Sequence, residues 1–190
     1  MIGFGRKQAW LAVRSDDPTA VIGALGLLDL GVVGWRDGLD LAHLTDDRVA
    51  VTPPIAGARD GTWVLVVGRR LLTTVDAPEV VALSVALGTE VQYFATHRVG
   101  EIHRWGRAVD GVLVRDFGFL GESGEVIRWR GDPDDAERAV GLPLDLPPRG
   151  VDVDILLGEG DVMRLAAAWS VDPTSLEGKP ASGPLHIAAA

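Results

Sequence analysis

The chain contains no cysteine. That absence excludes a disulfide framework, a thiolate zinc site and a cysteine nucleophile together, and it fits a reducing, cytoplasmic setting. Long apolar runs are also missing. The longest apolar region, residues 20–35, is broken by Asp29 and several glycines, so no membrane span is expected. Near the start a short apolar run ends at Arg14, too soon for the core of a signal peptide. Positive charge is scarce, with 18 Lys and Arg against 27 Asp and Glu and a formal net charge of -9. Nucleic acids and anionic membranes call for a basic surface, so neither is an expected partner. Core-forming material, by contrast, is ample. With 47% hydrophobic residues, 190 residues can bury one domain's core.

Helix-start chemistry punctuates the chain. Asp17-Pro18, Asp76-Ala77-Pro78 and Asp132-Pro133 each place a capping oxygen before a proline that a first helical turn tolerates. Each leads into apolar residues at helical spacing and then a glycine, Gly26, Gly88 or Gly141, suited to a left-handed cap. Two of these units, residues 17–27 and 132–142, align without a gap, and shared helix grammar accounts for the match as well as a duplication does. Residues 161–169 carry Val162, Leu165, Ala166 and Trp169 at the spacing of one buried face. Strands are expected at residues 9–13, 32–35, 49–52 and 62–69, and Trp10, Trp35 and Trp63 within them read as core.

Residues 91–131 alternate in a way that predicts a four-strand meander. Asp110-Gly111 is a strong hairpin signal and sets Val109 opposite Val112, Arg107 opposite Val114 and Trp105 opposite Asp116. A two-residue turn at Gly100-Glu101 sets Arg98 opposite His103. A three-residue loop, Glu122-Ser123-Gly124, sets Phe117 opposite Trp129 and Asp116 opposite Arg130. One face then carries Tyr93, Ala95, Val99, Ile102, Leu113, Phe117, Phe119, Ile127 and Trp129 and is the expected core face. The other carries Arg98, His103, Trp105, Arg107, Asp116, Arg128 and Arg130, a locally cationic surface on an acidic chain. His97 and His103 fall on opposite faces.

The predicted architecture is an α+β domain, a largely antiparallel sheet with helices packed on one face. Residues 1–145 and 160–178 form the domain, 146–159 a linker or excursion, and 179–190 a loose C-terminal tail. Chemical signatures are sparse. Gly3-Phe4-Gly5 lacks the preceding strand and third glycine of a dinucleotide fingerprint. Gly121-Glu122-Ser123-Gly124 has neither nucleophile-elbow nor phosphate-loop spacing. His97 and His103 find no third ligand, so no metal, cofactor or catalytic residue is assigned.

The runs at residues 90–133 and 166–178 resemble a family of uncharacterised, actinomycete-type bacterial proteins, and the preference for arginine over lysine is compatible with that origin. The resemblance implies no activity and no site residues. In composition and general architecture the chain is also similar to bacterial toxin-immunity proteins. The expected function is therefore non-enzymatic protein binding, immunity-like or regulatory, through the cationic meander face. The alternative is a small-molecule enzyme or accessory factor of secondary metabolism that holds an anionic ligand among Arg98, His103, Arg107 and Asp116.

Overall fold

The computed structural model describes residues 1–58, 61–97, 100–145 and 155–190. In chain order its elements are β1 (Ala9–Arg14), α1 (Pro18–Ala24), β2 (Leu28–Val33), α2 (Trp35–Leu44), β3 (Arg48–Val51), β4 (Ile55–Ala56), β5 (Thr62–Val67), α3 (Leu71–Thr74) and α4 (Ala77–Leu87). The meander follows as β6 (Val91–His97), β7 (Ile102–Val109), β8 (Val112–Leu120) and β9 (Glu125–Arg130). Then come α5 (Asp135–Ala139), α6 (Glu159–Trp169), a 3₁₀ turn at Pro173–Leu176 and β10 (Leu185–Ala189). The strands form one open antiparallel sheet in the order β2-β10-β3-β5-β1-β6-β7-β8-β9, with β4 beside β5. The fold is α+β, mostly sheet, as expected. No described helix is long and apolar enough to cross a membrane.

Helices cover both faces of this sheet, where the sequence predicted one. The reason lies in the central strands. In β1 and β6 successive side chains are buried on alternating sides: Trp10, Ala12 and Phe94 enter one core, and Leu11, Val13, Tyr93 and Ala95 enter another. A strand apolar on both sides needs two covers. The first core is closed by α2 and α6 through Leu39, Ala42, Val162, Leu165 and Trp169. The second is closed by α1, α3 and α4 through Val21, Ile22, Leu71, Val80 and Leu83.

Cap chemistry explains most helix ends. Asp17 accepts hydrogen bonds from the Thr19 and Ala20 amides at 2.8 and 3.0 Å, and the Asp76 amide donates to Glu79 at 2.9 Å. Gly26, Gly88 and Gly141 all take positive φ, as the glycine pattern predicts. At α5 the cap lies two residues beyond the predicted Asp132: Asp134 and Glu137 exchange hydrogen bonds, Glu137 amide to Asp134 at 3.0 Å and Asp134 amide to Glu137 at 3.1 Å. The aligned segments 17–27 and 132–142 therefore start their helices at different positions.

Two expectations are corrected. Residues 32–35 do not form a strand of their own; β2 ends at Val33 and Trp35 opens α2. That helix has no side-chain cap, so nothing in the sequence announces its start. Residues 179–190 are not a loose tail, because β10 lies between β2 and β3 and pairs with both. Of the expected linker, residues 146–154 lie outside the described residues, while Ile155 and Leu157 are buried in the first core.

Candidate functional site

The meander forms, with a register that redistributes the expected surface. Asp110 and Gly111 have φ of 48° and 79°, and Val109 pairs with Val112 as predicted. Both residues in the left-handed region is the geometry of a type I′ hairpin turn. A bulge in β8 then advances the register by one, so that Arg107 meets Arg115 and Trp105 meets Phe117 rather than Asp116. At the first turn Thr96 pairs with His103, two residues earlier than expected. At the last, Phe117 meets Trp129 and Asp116 meets Arg130 as predicted, because a longer loop and a second bulge compensate each other.

No single cationic face results. His103, Trp105 and Arg107 alternate onto the side of the sheet covered by α6. Asp116, Arg128 and Arg130 fall on the α4 side, and Arg98 lies outside the described residues. Trp105, His103 and Asp116 are buried. Asp116 stands apart from His103 and Arg107, so the anion site of the alternative reading is not assembled by these three.

On the α6 side the arginines are held by carboxylates. Arg107 Nε donates to Glu90 at 2.6 Å, and its guanidinium lies over the Trp169 ring at 5.6 Å. Gln92 donates to the same Glu90 oxygen at 2.7 Å and accepts from Ser170 Oγ at 2.7 Å. Trp169 Nε1 donates to Asp134 at 2.8 Å, which ties α6 to the α5 cap. Deeper in, Glu137 Oε1 accepts from both Arg115 Nε and Trp105 Nε1 at 2.7 Å. Arg115 also donates to the Arg130 and Gly131 carbonyls and stacks over Trp129 at 4.5 Å. Sequence reading missed Arg115, Glu137, Glu90 and Gln92. The spacing Asp134-x-x-Glu137 is a capping-box signal that could have marked Glu137; Arg115 required knowledge of the bulge.

The α4 side carries a second charged network. Asp76 accepts from Arg104 and, at 2.7 Å, from Arg128, whose Nη1 lies 3.6 Å from Asp116. Burial is the largest single influence on the Asp76 carboxyl and would raise its pKa, but Arg104 and Arg128 outweigh it and the pKa lies below the ordinary value. Tyr93 donates to the Leu71 carbonyl at 3.2 Å, and burial pushes its pKa up to about 12. His103 sits beneath the first turn of α6. Its pKa is lowered, chiefly by burial, against the opposing charges of Glu159, Glu101 and Asp161, and its Nδ1 has no hydrogen-bond partner.

Two clefts open at the surface. One of about 440 Å³ has Phe4 and Leu39 below and Arg6, Asp40, His43 and Glu177 around it; the other, about 580 Å³, lies between β4 and the 3₁₀ turn. Among the described residues, none of the expected site residues lines either. Among the described residues no three His, Asp or Glu side chains group as a metal site.

The two edges of the sheet differ sharply. β9, with sequence EVIRWR, carries three charged residues and a bulge, devices that discourage strand pairing. β2, with sequence LDLGVV, is exposed along nearly its whole length, with Leu28 68%, Leu30 50% and Val32 54% accessible. Its one charge is turned to local use: Asp29 accepts from the Gly31 amide at 2.8 Å and pairs with His186 at 2.9 Å. The Gly31 hydrogen bond, the larger cause, and His186 together lower the Asp29 pKa. A bulge opposite His186 and Ala188 interrupts the strand's pairing with β10. On α2, Arg36, Asp37, Asp40 and Leu44 are exposed, and Asp40 lines the cleft with Arg6 and His43. Comparison with known proteins finds no matching family model, no matching curated protein and no matching solved structure.

Proposed function

We propose that this is a non-enzymatic protein-binding domain, immunity-like or regulatory in role and cytoplasmic in setting, whose contact surface is the β2 edge. The observation that carries the reading is the contrast between the edges. An uncovered edge strand with three exposed large apolar side chains and little charge is a liability for a protein on its own, and natural edges are normally blunted. Both edges carry a bulge, but β9 adds three charged residues whereas β2 has a single charge, Asp29. Arg107 and Arg128, two of the meander arginines named from the sequence, are paired with carboxylates, and the chain as a whole keeps its net charge of -9. An acidic surface favours encounter with a basic partner.

The test is affinity capture with three baits: wild type, a Leu30→Lys/Val32→Lys variant, and Glu125→Lys on the opposite edge. A stoichiometric protein partner recovered by wild type and by Glu125→Lys, and lost with the β2 variant, is the expected result. Equal recovery by all three would remove β2 from the contact surface.

A further inference from the structure

We infer that β2 receives an extended, cationic segment of another protein as an additional strand of the sheet. The inference rests on the protein-binding reading above and specifies its mode and partner chemistry. β10 pairs with β2 on its inner side, and no described strand pairs on the outer side, where the edge presents main-chain donors and acceptors. Groups of that kind, in a row at strand spacing, are matched by another extended chain. Leu28, Leu30 and Val32 are exposed apolar side chains along this edge, with Leu28 and Val32 set on opposite faces by the bulge between Asp29 and Val32.

Charge decides between the occupants. A second copy of this chain would carry its own net charge of -9 to the contact and bring Asp29 toward its own counterpart. Like charges brought together oppose association. A segment alternating basic and apolar side chains meets Asp29 and the acidic chain with opposite charge, and the exposed leucines with apolar contact. Asp29, its pKa lowered by Gly31 and His186, stays ionised at neutral pH to take part.

The probe is a synthetic peptide of about eight residues, an ordinary strand length, alternating lysine and valine. Three further peptides accompany it: one with glutamate in place of lysine, one methylated at every backbone amide, and one of scrambled order. Binding is read by fluorescence anisotropy, and amide hydrogen exchange of the full chain locates the site. The expected result is saturable binding of the Lys–Val peptide that slows exchange at residues 28–33. It should weaken about tenfold or more on N-methylation, on charge reversal or in the Leu30→Lys/Val32→Lys variant, and fall as salt screens the charges. Equal binding of the N-methylated peptide, or protection confined to other elements, would overturn strand addition. So would a concentration-dependent dimer that the β2 variant abolishes, because the occupant would then be a second copy. The two readings separate cleanly: if the peptides fail while the β2 variant still loses its captured partner, the strand-addition inference falls and the protein-binding surface stands.

Discussion

Four arginines of the meander, Arg104, Arg107, Arg115 and Arg128, are neutralised by Asp76, Glu90, Asp116 and Glu137. Their value is set by what burial does to an unmatched charge. Arg115 and Glu137 are almost wholly buried, at 2% and 1% side-chain exposure, so removing one strands the other in a medium that cannot solvate it. Glu137→Ala should therefore destabilise the fold by about 3–5 kcal/mol, whereas replacing both residues by apolar ones of similar volume should recover much of that loss; urea unfolding of the three proteins measures both. Two titrating groups give pH signatures in separate windows. His103 has a lowered folded pKa, so the unfolded chain takes up its proton first on acidification. The stability associated with it is fully present above about pH 6.5 and falls as the pH drops through the folded value, and His103→Gln should flatten that slope. Asp76 also has a lowered folded pKa, but its stabilisation is complete above about pH 4 and is lost only below that. Asp76→Asn keeps a capping side chain for α4 and removes the charge, so it should lower stability above about pH 4 and flatten the loss below it. A wild-type profile flat from pH 7 to 5 would contradict the His103 assignment.

At the scale of elements, β10 is the strand whose removal should matter most for its length. Leu185 and Ile187 are buried in the first core, and full burial of such a side chain is worth about 1.5–3 kcal/mol. β10 is also the attachment of β2 to the sheet. Truncation after Pro184 should lower the thermal midpoint markedly and release β2, which amide exchange at residues 28–33 reports; a truncated chain with wild-type stability would show that the strand is dispensable. This strand was illegible in the sequence because its neighbours Pro180 and Pro184, with Gly178 and Gly183, mark turns, while Leu185–Ala189 is too short and alanine-rich to register as β-forming. Elements with local chemistry were legible: the Asp17 and Asp76 caps, the glycine stops and the Asp110-Gly111 hairpin each act within a few residues. The candidate surface was less so. One bulge in β8 moved Asp116 away from Trp105, and since side chains alternate with period two, a shift of one residue exchanges faces for everything beyond it. The β2 edge was hidden for another reason: its apolar residues look like any buried strand until the sheet order places them outermost.

Taken as one molecule, the protein is a single sheet with a core on each side, and the two cores have unequal contents. All six tryptophans belong to or pack against the α6-side core, while the α4-side core is aliphatic apart from Tyr93. The strands β1, β5 and β6 contribute side chains to both, so neither core can dissolve without exposing the backs of strands that hold the other. Cooperative unfolding in one transition follows, with tryptophan fluorescence and far-ultraviolet circular dichroism giving the same midpoint. The sharper check perturbs the core that has no tryptophan. Leu83 on α4 is buried there, and Leu83→Ala should cost about 2–5 kcal/mol. For a chain of this size each kcal/mol lowers the midpoint by about 2–4 °C. If the cores are coupled through the sheet, the tryptophan transition moves by the same amount as the circular dichroism transition, although no tryptophan shares a core with the altered side chain. A tryptophan signal that stays in place while dichroism shifts would mean that the α4 side melts independently, and that the two faces, despite their shared strands, fold as separate units.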